Sequence, residues 1–383
     1  MLFQGEITHL SQKGLGVVRH PENELSYFVA GTWPGDVGEF EITDRTLNNK
    51  KYAYARLVRL IQPSSHRKTP ECQFLGFSGS DCSGCPWMIA DYDSQLEQKK
   101  ASFLHPMQRI GFDPQVLSVG PVHPFPDLFG YRNRFQVKTD GRKLGFVAEG
   151  SHHIVPIEDC IALNAICRQH LKTLRQRLPR REWIPAPGYD WNFIDLDDQS
   201  AIDPVQLNRK RPFQQGNSAQ NLWMKTQLRQ QLGQQGESEK IVELFCGSGN
   251  FTEIIAQTGC PQILAYESDP EATAALQQKN LPGVKARTID LYHPFIWKIL
   301  KNHIKDADTL VLDPPRSGLK TLRGFFEYFP ALKTIHYISC NSVTFARDAW
   351  MFCKNGWKFS TIQLIDQFPH TPHVEIMAVF RKR

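Results

Sequence analysis

The 383-residue chain has no apolar run approaching the roughly 18–20 residues that span a bilayer. Its first ten residues carry Gln4, Glu6 and His9, so no secretory hydrophobic core stands there. A soluble, cytoplasmic protein without a membrane partner is expected. Internal repeats and low-complexity tracts are also absent. Charge of one sign is scarce: 45 Lys and Arg against 39 Asp and Glu leave +6, too mild to name a partner. The nine cysteines are an odd count, which argues against a disulfide framework and leaves thiols for ligation or catalysis. What remains is an ordinary globular balance, 41% hydrophobic and 22% charged, and disorder throughout is excluded. The length predicts two or three domains.

Residues 1–60 read as short strands. The segments 14–18, 25–30, 37–42 and 52–58 alternate apolar and polar residues, with turns at Pro34-Gly35-Asp36 and Leu47-Asn48-Asn49-Lys50. Such spacing suits a small closed barrel of the OB type. Its cations, Lys13, Arg19, Arg45, Lys50, Lys51, Arg56 and Arg59, suit single-stranded nucleic acid as well as they suit a plain solvated surface. A polar linker follows at 63–70, then a helix near 90–111, strands over 131–147 with a hairpin at Asp140-Gly141, and a helix over 160–178. Between 168 and 181 six cations stand with no acid among them, which favours phosphate contact. From about 241 buried strands alternate with amphipathic helices, and the strand 374–380 closes the chain. This is the pattern of a parallel, doubly wound α/β sheet.

The strand 241–245 runs into Cys246-Gly247-Ser248-Gly249-Asn250-Phe251-Thr252. Gly247 and Gly249 allow a tight turn and close backbone approach to a ligand. Glu267, at the end of the next strand, is spaced to accept from ribose hydroxyls. The third glycine of a dinucleotide site is missing; Thr252 stands there. The acids Glu243, Glu267, Asp290 and Asp313 suit a cation and would repel phosphate, so S-adenosylmethionine is preferred to NAD. Asp290 is expected at the adenine edge.

Asp313 opens the rigid loop Asp313-Pro314-Pro315-Arg316, at the strand ends where a doubly wound sheet has its cleft. Cys340 ends another buried strand near a helix N-terminus, a place expected to lower its pKa. Glu375 begins the last strand at the same edge. A thiolate beside S-adenosylmethionine points to uracil carbon 5. Addition at carbon 6 makes carbon 5 nucleophilic, and a base must then remove the carbon 5 proton. Cys340 is the candidate nucleophile and Glu375 the candidate base. Cys72, Cys82 and Cys85, with the C-x₂-C knuckle Cys82-Ser83-Gly84-Cys85 and a distant Cys160, suit zinc or an iron–sulfur cluster; spacing alone does not choose.

Taken together, four sets of residues resemble the RNA (uracil-5-)-methyltransferase family. They are Pro70-Glu71-Cys72 with Cys82-Ser83-Gly84-Cys85; Tyr131-Arg132-Asn133; Leu244-Phe245-Cys246-Gly247-Ser248-Gly249-Asn250-Phe251-Thr252; and Asp313-Pro314-Pro315-Arg316 with Ser339-Cys340-Asn341, Arg347-Asp348 and His373-Val374-Glu375. Gly14-Leu15-Gly16-Val17 and Trp33-Pro34-Gly35-Asp36 resemble a TRAM domain, the RNA-binding barrel of the members that act on large-subunit rRNA. The resemblance implies three domains: a TRAM or OB-like barrel at 1–62, a central α+β domain with an iron–sulfur cluster at 63–205, and a Rossmann-like methyltransferase domain at 206–383. It implies that Gln215, Phe245, Gly247, Gly249, Asn250, Glu267, Asp290 and Asp313 bind S-adenosylmethionine. It further implies that Arg132 and Phe213 line the substrate pocket and that Cys72, Cys82, Cys85 and Cys160 ligate a [4Fe–4S] cluster with no redox role in the transfer. The nine residues between Cys72 and Cys82 exceed the family's usual gap. The expected partner is 23S rRNA, with tRNA as the alternative, and the expected state a monomer. Two other readings compete: an amino-methylating enzyme built on the Asp-Pro-Pro loop, and a non-catalytic iron–sulfur RNA-binding protein.

Overall fold

The computed structural model describes residues 1–23, 25–43, 52–320 and 324–382. The first strands are β1 (Leu2–Leu10), β2 (Gly16–Arg19), β3 (Ser26–Val29), β4 (Val37–Ile42) and β5 (Tyr52–Gln62). They close into a barrel in the order β1-β2-β3-β5-β4. Alternation aims one side of each strand inward, and Phe3, Ile7, Val18, Tyr27, Val29, Phe40, Ala53 and Ala55 form the interior. Closure removes the exposed strand edges. β1 escaped the sequence reading because Gln4, Glu6, Thr8 and His9 dilute its pattern and a bulge between Ile7 and His9 shifts its register. The turn at 47–50, with Arg45, Lys50 and Lys51, lies outside the described residues. Asp36 is fully buried. Its carboxylate accepts from Trp33 N at 2.6 Å, Ser64 N at 2.9 Å and Arg67 Nε at 2.7 Å, so the polar linker is fastened to the barrel.

After α1 (Tyr92–Arg109) and β6 (Val122–His123) come β7 (Arg134–Thr139), β8 (Leu144–Val147), β9 (Ile154–Pro156), α2 (Ala165–Gln176) and β10 (Asn192–Asp197). The strands form an antiparallel sheet, β10-β7-β8-β9. Val137, Ile194 and Leu196 of the sheet and Leu171 and Leu174 of α2 share one core. The helix starts at Ala165, later than its apolar pattern implies, because Asn164 caps it by accepting from Cys167 N at 2.9 Å. Four of the six cations over 168–181 have acidic partners. Arg168 pairs with Asp159, Arg175 with Glu158 at 3.5 Å, Arg177 with Asp203 at 2.7 Å and Arg180 with Glu182 at 3.3 Å. Acids before, after and far beyond the run thus offset most of the charge that favours phosphate contact.

Met1–Ser102, Phe125–Arg211 and Phe368–Pro372 make one compact unit; Phe103–Pro124, Pro212–Gln367 and His373–Arg383 make the second. The second unit holds α3 (Ser218–Gln234), β11 (Lys240–Leu244), α4 (Thr252–Ala256), β12 (Gln262–Glu267), α5 (Pro270–Gln278), β13 (Val284–Thr288), α6 (Ile296–Ile304), β14 (Thr309–Leu312), β15 (Thr334–Ser339), α7 (Ser342–Lys354), β16 (Trp357–Ile365) and β17 (Glu375–Lys382). Its sheet runs β13-β12-β11-β14-β15-β17-β16-β6. The first five strands are parallel, as the apolar runs of β12, β11, β14 and β15 predict; β17 is antiparallel to both β15 and β16. Met224, Leu228 and Leu232 of α3 cover one face. An aromatic stack covers the other, with Phe352 of α7 edge-on to Tyr337 of β15 and Phe380 of β17. No described helix is long and apolar enough to cross a membrane.

Candidate active site

Chain order reverses between β11 and β14, so a crevice opens at the carboxyl ends of those neighbouring strands. The glycine turn leaves β11 and the Asp313 loop leaves β14 at that point. Phe245 itself adopts φ 63°, a left-handed conformation costly for a large side chain, and its ring lies 5.7 Å from that of Tyr292. Gly249, at φ 94°, must be glycine: a Cβ would meet Leu276 Cδ1 at 2.5 Å. Glu267 closes the turn by accepting from Gly247 N at 2.9 Å through Oε2, while Oε1 accepts from Ser268 N and Asp269 N. Its first partners are thus backbone amides. Asn250 exchanges two hydrogen bonds of 2.9 Å with Asn221 of α3. Thr252, in the place of the third glycine, donates to buried Glu243 at 2.6 Å. Gln215 is buried and accepts from Gln367 Nε2 at 3.1 Å. Asp290 is exposed beyond β13, where it accepts from Tyr292 N at 2.9 Å.

The antiparallel register of β15 and β17 pairs Ser339 with Ile376, which brings Cys340 and Glu375 to the same edge of the sheet. Asn341 then starts α7 by accepting from Val343 N at 2.9 Å and Thr344 N at 3.2 Å. The Asp313 loop is locked to α7. Asp348 accepts from Leu319 N at 2.8 Å and Tyr337 Oη at 2.7 Å, Arg347 donates to Ser317 O and Leu319 O at 3.1 Å, and Thr344 Oγ1 donates to Arg316 O at 3.1 Å. Gly318, at φ 66°, makes this contact possible, since a Cβ would meet Asp348 Oδ2 at 2.6 Å. Arg347 and Asp348 carry no role legible in the sequence; only the fold shows these bonds.

The electrostatics correct one expectation. Burial, then Glu375 and Asp313, push the Cys340 thiol up to about 12, with Arg316 acting the other way. The helix N-terminus lowers a thiol pKa only when burial and acids do not outweigh it. Glu375 is itself raised to about 8, by burial and then Asp313, and again Arg316 opposes. Burial and Glu267 raise Asp313 to about 7. Burial raises Glu243 to about 8, with the Thr252 bond opposing and Asp313 and Glu267 adding to the rise. Acids raised on folding penalise the folded state as pH climbs from their unfolded values, near 4, through 7 to 8. The melting temperature of the ligand-free protein should therefore fall across that window, and Asp313→Asn with Glu375→Gln should flatten the decline. Calorimetry at a series of pH values checks this; a midpoint that rises over the window contradicts it.

In the first unit, Cys82 and Cys160 pack beside the α2 core, and Cys85 and Cys160 beside Phe125 and Tyr131. Burial, then Cys160, Cys82 and Cys72, push Cys85 up to about 12. Cys82 is also raised, by burial and by Cys72, against a hydrogen bond from the Gly84 backbone. The four thiols are electrostatic neighbours, yet among the described residues no three His, Cys, Asp or Glu side chains form a group that could hold a metal ion. Arg132 belongs to this unit, its guanidinium 5.9 Å from the Phe368 ring centroid. Phe213, in the second unit, is 76% exposed.

Comparison with known proteins bears on this geometry. The tRNA (Uracil-5-)-methyltransferase family model matches residues 299–383. The chain is 77% identical, over its whole length and 98% of the relative, to an uncharacterized RNA methyltransferase of Nitrosomonas europaea. It is 27% identical, over its whole length and 97% of the relative, to the 23S rRNA (uracil(1939)-C(5))-methyltransferase RlmD of Francisella tularensis subsp. novicida. In fold it resembles the Pyrococcus abyssi tRNA (uracil-54, C5)-methyltransferase solved with S-adenosyl-L-homocysteine, with a TM-score of 0.69 at 22% identity, over 99% of this chain and 100% of that one. The closed barrel, the switch-point crevice and the paired edge of β15 and β17 are thus those of an RNA methyltransferase, and the chain belongs to the RNA (uracil-5-)-methyltransferase family.

Proposed function

We propose that the protein methylates carbon 5 of a uridine in 23S rRNA, with Cys340 as nucleophile and Glu375 as base. The observation that carries this reading is the convergence of Cys340, Glu375 and Asp313 at one sheet edge, each carboxylate acting on the thiol. S-adenosylmethionine supplies the methyl group as an electrophilic sulfonium. The acids Glu243, Glu267 and Asp313 around the glycine turn favour such a cation. Gln215, Phe245, Gly247, Gly249, Asn250 and Asp290 complete the proposed donor site, and Arg132 and Phe213 are proposed substrate-binding residues.

Cys340 Sγ loses its proton to solvent and bonds as thiolate to uracil carbon 6, and the ring electrons move toward carbon 5. Carbon 5 takes the methyl group. Glu375 then accepts the carbon 5 proton, the carbon 5–carbon 6 double bond re-forms, and the sulfur–carbon pair returns to Cys340. Both residues must ionise first. Arg316 helps both, since it opposes the rise of each. A cation bound among the acids adds to that help.

In this reading Cys72, Cys82, Cys85 and Cys160 hold a [4Fe–4S] cluster that orders the central domain at 63–205 and takes no electrons from the reaction. An all-cysteine donor set, mutual coupling of the thiols, and backbone donors from Gly84 to Cys82 and from Ala162 and Leu163 to Cys160 all support it. The barrel at 1–62 adds RNA-binding surface to the methyltransferase domain at 206–383. The Francisella relative, matched over nearly its whole length, supports rRNA. Incubation of the protein with labelled S-adenosylmethionine and unmodified 23S rRNA or tRNA transcripts should yield 5-methyluridine from the 23S rRNA. Nucleoside mass spectrometry reads the outcome. Label in tRNA alone moves the substrate, a methyl group on an exocyclic nitrogen overturns the chemistry, and no label leaves a binding protein.

A further inference from the structure

The segment that leads to Glu375 is longer than its pairing requires. Ile365 of β16 lies directly opposite Glu375 of β17, yet nine residues separate them, where antiparallel neighbours commonly need about two to five. The extra length leaves the second unit: residues 368–372 are part of the first.

There, three successive carbonyls are taken by side chains or by a remote amide. Phe368 O accepts from Lys99 Nζ at 3.0 Å, Pro369 O from Tyr131 Oη at 3.1 Å, and His370 O from Trp87 N at 3.0 Å. His370 N donates to Gln95 Oε1 at 3.0 Å, and Gln95 Nε2 lies 3.1 Å from His370 Nδ1. The same Nε2 donates to Trp87 O at 3.0 Å and Ala90 O at 2.9 Å, so Gln95 ties the segment to the stretch just beyond Cys85. Lys99 and Gln95 are both fully buried. Burying an ammonium is costly, and a loop that needed only to be covered would not require it. His370 adopts φ 65°, a conformation that a non-glycine residue keeps only where its surroundings over-determine it. Its ring stacks on Phe129 at 5.2 Å.

The two flanks of this segment are functional in the reading above. Before it, Gln367 donates to Gln215 and accepts from Asn217. After it, the chain reaches Glu375 three residues beyond Pro372. We propose that residues 368–372 are a strap through which Lys99, Gln95 and Tyr131 position Glu375 for removal of the carbon 5 proton. This rests on Glu375 as the base. Lys99 and Tyr131 are positioning residues: they act on the second half of the reaction and leave the first half alone.

Two RNA probes separate the halves. RNA containing 5-fluorouridine has no carbon 5 proton to lose, so it reports only adduct formation. Unmodified 23S rRNA transcript reports formation and release. Tyr131→Phe removes a single oxygen and keeps the ring; Lys99→Met removes the donor and keeps most of the volume. In both, and more so together, adduct formation on the fluorinated RNA should stay within about twofold of wild type. Release from ordinary RNA should slow by about tenfold to a hundredfold, and a methylated covalent complex should accumulate. Formation and release falling in parallel, or release unchanged in the double variant, overturns the strap. Glu375→Gln is run alongside. If it releases product normally, the base assignment fails and the strap falls with it. If it stalls while the strap variants do not, the strap alone fails.

Discussion

Cys340→Ala abolishes turnover together with the covalent complex on 5-fluorouridine RNA, a loss on the order of 10⁴-fold or more. Carbon 5 of uracil cannot attack a methyl group unaided, and no neighbouring thiol can substitute. Cys246 is buried beneath the glycine turn, where burial, then Glu243 and Glu267, drive its pKa upward. Cys353 stands near the far end of α7. The variant should still fold. The thiol is only half-buried, and the start of α7 depends on the Asn341 side chain. A stability change within about 1 kcal/mol is expected, as for substitutions that remove no core packing or cap. Denaturing gels of the RNA complex and labelled methyl transfer measure the two losses. Wild-type methylation by the alanine variant removes covalent catalysis and returns the chemistry to the Asp313 loop and an exocyclic amine.

The residues that made the sequence readable were those whose neighbours are local. Alternation over 37–42 became β4, and the runs ending at Leu244, Leu312 and Ser339 became buried parallel strands, because each pattern is written within one element. Properties set by remote partners were invisible. Arg177 looks unbalanced until Asp203 arrives from beyond β10. The helix start beside Cys340 is local and suggests a lowered pKa; Glu375 and Asp313 come from other strands and reverse it. Thr252 reads as a missing glycine, and only the packing of α4 against β11 reveals its bond to Glu243. β16 went unrecognised because the alternation of Trp357-Lys358-Phe359-Ser360 slips phase at Thr361, where an irregularity interrupts the pairing with β17 that specifies the strand.

Glu375→Gln traps the enzyme after methyl transfer, with turnover reduced by about 10²–10⁴-fold and the methylated RNA left attached to Cys340. The amide replaces a carboxyl that is 7% exposed and whose pKa is raised to about 8, so near neutrality it resembles the protonated acid already present in the free protein. The fold should accept it. The first half of the reaction should accept it too, because near neutrality the amide replaces a carboxyl that is already largely protonated. The charge beside the Cys340 thiol is then unchanged, and the adduct forms at about the wild-type rate. An amide cannot take the carbon 5 proton, so the sulfur cannot leave. Proteolysis and mass spectrometry of the quenched reaction should find the Cys340 peptide carrying a methylated uridine. Free 5-methyluridine released at the wild-type rate excludes Glu375 as the base and directs attention to Asp313, the other raised carboxyl acting on the same thiol.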